Sequence, residues 1–132
     1  MANITLREIF DSVSNVEGTA LISAARTATV SSADITNLGG LGVTVVLDVT
    51  ASASTPSVVL TIEGKDTLSG KYYNILTSAA VTGASTNVYR VFPGLTASPN
   101  LIVSSLIPKI FRVTVTHSDT DSITYSVGYS LS

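Results

Sequence analysis

The spacing of hydrophobic and polar positions changes once along this chain. Near the N-terminus Leu6, Ile9, Phe10 and Val13 fall at i, i+3, i+4 and i+7, one face of a helix. Thr5 and Glu8 form a capping box, in which the Thr5 hydroxyl accepts from the Glu8 amide and the Glu8 carboxylate accepts from the Thr5 amide. Ile4 and Ile9 occupy the two staple positions, and Gly18 closes the segment. So short a helix is not stable alone in water. Its apolar face is therefore expected to dock on the rest of the chain or on a neighbouring subunit.

Beyond Gly18 the period is about two. Leu21 to Val30 reads as a first strand, its alternation diluted by alanines, and Ser31 to Gly42 reads as a polar, glycine-containing loop. Val43, Val45, Leu47 and Val49 alternate with Thr44, Val46, Asp48 and Thr50, the pattern of a half-buried strand. Val58, Leu60 and Ile62 repeat it after a turn at Pro56. GKDTLSG from Gly64 to Gly70 then links to a strand over Tyr72 to Thr77, predicting a hairpin. Thr86 to Phe92 is stopped by Pro93 and Gly94, and Leu95 to Pro108 is a longer connection. Lys109 to His117 alternates with Phe111, Val113 and Val115 on one face, and the last strand carries Ile123, Tyr125, Val127 and Tyr129.

About seven strands with frequent turns predict an all-β fold. The expected architecture is an antiparallel β-sandwich, immunoglobulin-like or jelly-roll-like, with a short N-terminal helix or arm. The arm takes residues 1–18 and the sandwich residues 19–132. No internal repeat and no second domain is visible.

Composition sharpens this picture. The 132 residues fit one domain, with enough chain to bury a core without staples. There is no Cys and a single His. Charged residues make up 12% of the chain, about half the usual share, while hydrophobic residues reach 45% and much of the remainder is Ser and Thr. So few charges cannot solvate a whole surface, and part of it is expected to be covered by copies of the chain or by a larger assembly. Lys and Arg are few and scattered, so no nucleic-acid partner is expected. No apolar run approaches the roughly 18 residues of a membrane span, and no membrane partner is expected. Arg7, Glu8 and Asp11 stand where the apolar part of a signal peptide would sit, so synthesis and use in the cytoplasm, or release by lysis, is expected.

Candidate chemistry is sparse. Gly64 to Lys71 departs from a phosphate-binding loop in its spacing and in Tyr72, which stands where Ser or Thr should hold a metal; it leads into a strand, so it reads as a turn. His117, Asp119 and Asp121 cluster but lack further ligands and read as a hairpin turn. The serines include no nucleophile elbow, and His117 is the sole imidazole base. Asp48 and Glu63 fall on the polar sides of their strands. Tyr125 and Tyr129 share the alternation of the core, which leaves Tyr72, Tyr73 and Tyr89 as candidates for a sugar-stacking platform. Asn3-Ile4-Thr5 is a glycosylation sequon without an export signal to use it. No catalytic residue, cofactor or metal is expected.

Three stretches taken in order, TIEGKDTLSGKYYNIL (Thr61 to Leu76), YRVFPGL (Tyr89 to Leu95) and LIPKIFRVTVTHSDTDSITYSVG (Leu106 to Gly128), resemble small virion structural proteins of tailed bacteriophages, of the head decoration or cement type. The resemblance runs from about Gly42 onward and carries no catalytic residues. It implies a β-rich, non-enzymatic module on the capsid surface of the virion, made in the host cytoplasm. The implied partners are the major capsid protein and further copies of the chain, as a dimer or trimer. In that setting Leu6, Ile9, Phe10 and Val13 are the expected partner-binding residues. A tail or baseplate component, or a carbohydrate-binding module that attaches the particle to a host, are the alternatives.

Overall fold

The computed structural model describes residues Val16 to Ser132. Leu6, Ile9, Phe10, Val13 and the capping residues Thr5 and Glu8 lie outside the described residues. Ten strands follow in order: β1 (Val16–Arg26), β2 (Val30–Ser31), β3 (Ile35–Thr36), β4 (Val43–Ser52), β5 (Val58–Lys65), β6 (Tyr72–Thr77), β7 (Ser85–Val91), β8 (Ile102–Val103), β9 (Ile110–His117) and β10 (Ile123–Leu131). No helix occurs among the described residues.

The strands form two sheets. One has the order β1-β10-β4-β7-β8; the other has the order β2-β9-β5-β6, with β3 also paired to β9. Pairing is antiparallel except between β7 and β8. Four of the ladders are nested: β1 with β10, β2 and β3 with β9, β4 with β7, and β5 with β6. A long two-stranded ribbon folded at the β5–β6 hairpin and rolled into two layers has this pairing. The sandwich is therefore a jelly roll.

Alternation along the strands is what puts the core between the sheets. In β4 every second residue from Val43 to Val49 is buried, and β5 repeats this from Val58 to Gly64. Register aligns these faces: Val45 lies beside Tyr129 and Tyr89, and Leu60 beside Val115. Leu47, Leu60, Ile62, Phe111, Tyr125 and Val127 are fully buried there. Tyr129 packs edge-to-face on Phe111 at 6.2 Å between centroids. Its ring also covers Gly18, where an added Cβ would meet the phenol at 2.3 Å. Gly18 thus lies inside β1, which begins earlier than the sequence pattern suggests, because a glycine under an aromatic ring extends the strand.

The short strands arise from pairing rather than from hydrophobic pattern. β2, which begins at the last residue of the stretch read as the first strand, and β3, within the stretch read as a loop, run along the edge of β9. Side chains fill the gaps in that ladder. The Ser32 hydroxyl accepts from the Val113 amide at 3.0 Å, and the Thr29 hydroxyl accepts from the His117 amide at 3.0 Å. The edge strand of the first sheet, β1, is long and therefore exposed to unwanted pairing. Register shifts on either side of Leu21 break its ladder. At the second shift Arg26 folds back and donates to the Ile22 carbonyl at 2.6 Å and the Tyr125 carbonyl at 2.8 Å. This bulge blunts the edge while satisfying its polar groups.

Candidate functional site

Strand direction sorts the connections into two groups. The β1–β2, β4–β5, β6–β7 and β9–β10 connections share one end of the sandwich. The β3–β4, β5–β6 and β7–β9 connections share the other, together with Val16 and Ser132. The two ends have opposite chemistry.

At the first end the connecting residues are almost all Ser, Thr, Ala, Gly and Asp, and the larger apolar ones, Pro56 and Val81, are buried. The turns are closed by their own polar groups. Asp119 accepts from the Asp121 amide at 3.1 Å within its own turn, and Asp121 accepts from the Thr55 amide at 3.1 Å, so one carboxylate shapes the β9–β10 turn and the other ties it to the β4–β5 connection. No group of three His, Cys, Asp or Glu able to hold a metal occurs among the described residues. His117 sits 2.8 Å from the Tyr125 hydroxyl through Nε2, while its Nδ1 is buried without a partner. Burial holds its pKa below the ordinary value; Asp119 pulls it upward and the Arg26 charge lowers it further. Protonation would place an N–H at Nδ1 where no acceptor waits, so the neutral ring fits this site. The Arg26 guanidinium lies 4.7 Å from the centre of the Tyr125 ring.

The opposite end carries most of the exposed large apolar side chains: Val16, Leu38, Leu41, Leu68, Leu95, Leu101 and Leu106. Leu38 is 77% exposed, Leu106 60%, Leu41 52% and Val16 48%. Backbone bonds join the segments that carry Val16, Leu41 and Leu106. Val16 pairs with Leu131 in the β1–β10 ladder. The Leu41 amide donates to the Ser132 carbonyl at 2.7 Å, and the Leu41 carbonyl accepts from the Ile107 amide at 3.0 Å.

The loop holding Leu38 and Leu41 is built around buried Asn37. Its amide group donates to the Gly40 carbonyl at 2.7 Å and to the Ile107 carbonyl at 3.4 Å, and its oxygen accepts from the Gly40 amide at 2.8 Å. Gly39 supplies the positive φ of 106° that the tight turn needs. The leucines are thus displayed on a pinned loop.

Between the ends, the outer face of the second sheet is polar and internally paired. Arg112 donates to Glu63 at 3.1 Å and stacks 3.5 Å from the centre of the Tyr72 ring. Glu63 also accepts from the Thr114 hydroxyl. Lys65 bonds Asp34 at 2.8 Å, and the Tyr72 hydroxyl donates to the same carboxylate. These two bonds hold the Asp34 pKa below its usual value, the Lys65 bond most, and Asp34 raises that of Lys65. With every charge partnered, this face is suited to holding strands together.

The residues singled out by sequence are dispersed. Asp48 accepts from Thr86 at 3.1 Å on the first sheet, while Glu63 lies on the second, so the two carboxylates do not meet. Of the stretch from Gly64 to Lys71, Gly64 and Lys65 belong to β5 and the rest is the hairpin turn, in which Asp66 accepts from the Ser69 hydroxyl at 2.7 Å. Tyr125 and Tyr89 are buried; Tyr72 pairs with Lys65 on the outer face, and Tyr73 covers Gly64 on the inner side of the rim. Tyr72, Tyr73 and Tyr89 share no surface. The pattern missed Leu38, Leu41 and Leu106, although each is a leucine in a connection that no strand absorbs, which was the available signal.

Neither a family model nor a curated protein matches the sequence. Among solved structures, a chain in the structure of infectious bursal disease virus, Gx strain, is similar with a TM-score of 0.54 and 12% identity. The likeness covers 89% of this chain and 32% of that one, so the chain spans about a third of that neighbour's length. At this identity the two share a fold.

Proposed function

We propose that this protein is a non-enzymatic structural component of a tailed-bacteriophage virion, a decoration or cement protein that stands on the assembled capsid lattice through its apolar end. The observation that carries the reading is the segregation of exposed leucines onto pinned loops at one end, with small polar residues at the other. An apolar patch rimmed by polar surface marks an interaction site. A lattice of major capsid protein supplies a repeated partner, and the Ser- and Thr-rich end then faces solvent. Likeness of fold to a chain of a virus particle supports a virion role in general, and the stretches from Thr61 onward support the phage type in particular. In this reading Leu6, Ile9, Phe10 and Val13, in the segment that precedes Val16, are partner-binding residues. They extend the contact to the lattice or to a neighbouring copy in a dimer or trimer. Binding only to the assembled lattice stabilises it by mass action.

The test is light scattering of the protein alone, followed by co-sedimentation with empty capsids of the source virus. A discrete oligomer that sediments with capsids, and loses this when Leu38, Leu41 and Leu106 are changed to Ser, is the expected result. A monomer that ignores capsids overturns the reading and directs attention to tail partners.

A further inference from the structure

We infer that the end of β1 from Ile22 to Arg26 is an acid-released latch: protonation of His117 frees Arg26 from the bulge it closes, and this stretch lifts off β10. The inference concerns the folded sandwich alone and does not rest on the capsid reading.

The latch is built at one point. Beyond Leu21 the β1–β10 ladder skips Ile22 and Ser23 and resumes with Ala24 beside Tyr125, Ala25 beside Thr124 and Arg26 beside Ile123. Ile22 is 72% exposed, so its side chain adds little hold. The gap is bridged by the Arg26 guanidinium, which donates to the Ile22 and Tyr125 carbonyls and lies over the Tyr125 ring. A short ladder end held by one side chain opens at a lower free energy than the core.

His117 is the group placed to release it. Its Nε2 meets the hydroxyl of the same Tyr125 that Arg26 covers. Its Nδ1 is the one buried side-chain polar atom without a partner among the described residues. A charge on this ring is repelled by Arg26 from β1 and attracted by Asp119 from the β9–β10 turn. Of the remaining neighbours, Tyr125 on β10 is kept neutral by burial, and Asp121 is bonded to the Thr55 amide. Thr29 and Val58, which meet the His117 backbone from the β1–β2 connection and from β5, carry no charge.

Protonation therefore turns the ring from Tyr125 toward Asp119, where the new N–H finds an acceptor. The Tyr125 hydroxyl is left unpaired, a cost that water relieves once Arg26 swings off the ring. The Ile22 and Tyr125 carbonyls then turn to water as well, and the edge of β10 from Ile123 to Tyr125 is uncovered.

Hydrogen exchange of the full chain, read by mass spectrometry of its peptides, tests this above pH 6.5 and well below it, with labelling times scaled for the intrinsic rate. The amides of Ile22 to Arg26 should lose roughly fivefold protection in acid, and dilute urea should leave their exchange unchanged, the mark of an opening that exposes little surface. His117→Gln should abolish the loss. Asp119→Asn, which keeps an acceptor for the Asp121 amide, should move it to lower pH. Arg26→Gln should give fast exchange at both pH values. No acid loss in the wild type, or the same loss in His117→Gln, overturns the inference. An Asp119→Asn profile that does not move overturns the role given to Asp119. A loss that accelerates with urea in step with the amides of β5 is global unfolding and overturns the assignment to β1.

Discussion

The two ends of the sandwich are built from the same strands, yet they present opposite surfaces. At the polar end the loops bond to themselves and to each other: Asp119 shapes its own turn, Asp121 ties that turn to Thr55 of the β4–β5 connection, and His117 and Arg26 converge on Tyr125. At the apolar end the polar atoms are also satisfied, but by Asn37 and backbone, and the leucines are left outside. Burying Leu38 or Leu106 would have stabilised the domain by about 1.5–3 kcal/mol each. A fold that forgoes this on a pinned loop, while its other end exposes almost no large apolar group, separates by location the residues that stabilise it from the apolar surface it displays.

Removing what both ends share should have the largest effect. Phe111 is buried between the sheets and touches the ring of Tyr129. Phe111→Ala is expected to cost about 3–5 kcal/mol, seen as a lower urea midpoint in one transition that takes both ends together. Separate transitions for the two ends would break the comparison.

Asn37→Ala should come next. It strips the partner from a Gly40 amide and costs about 1–3 kcal/mol. Because the leucine loop loosens, co-sedimentation with capsids should fall by more than the stability loss explains. The counterpart at the polar end, Tyr125→Phe, removes the hydroxyl beside His117 and should cost about 1 kcal/mol with attachment unchanged.

The pH response belongs to the polar end and should be smaller. His117 has a folded-state pKa below its ordinary 6.5, so the unfolded chain binds more protons just below that value. Its contribution is present above pH 6.5 and is lost as pH falls through the lowered folded value. Urea midpoints should drop as pH falls through 6.5 and below, and His117→Gln should flatten that drop. Asp34 acts in the same direction in a more acid window, below 3.8. The smallest effect is expected from Thr82→Ala and Thr120→Ala, within about 0.5 kcal/mol and with no change in attachment.

Much of this fold is legible in the sequence. The alternation of β4, β5, β9 and β10 reports burial on one face, and it correctly places Tyr125 inside. Three two-residue strands were not legible, because β2, β3 and β8 exist through pairing with distant segments. Ser32 and Thr29 hold their places by hydrogen bonds, which leave no hydrophobic trace. The choice between immunoglobulin-like and jelly-roll order is likewise invisible locally, since it lies in which strands become neighbours. The apolar end was hidden for a different reason: Leu38, Leu41 and Leu106 fall in irregular segments where no period marks them.

The nested ladders have a consequence for how the chain is made. Only β5 and β6, joined by a short turn, can pair as soon as they are synthesised; each further ladder needs a strand that arrives later, and β1 must wait for β10, the last strand of all. Closing such distant pairs is slow, because loop entropy is lost before the contacts reward it. During translation β1 therefore spends the whole synthesis of the sandwich unpaired, and the glycine, alanine, serine and threonine residues that dilute its apolar alternation leave the nascent chain little surface with which to stick to its siblings on adjacent ribosomes.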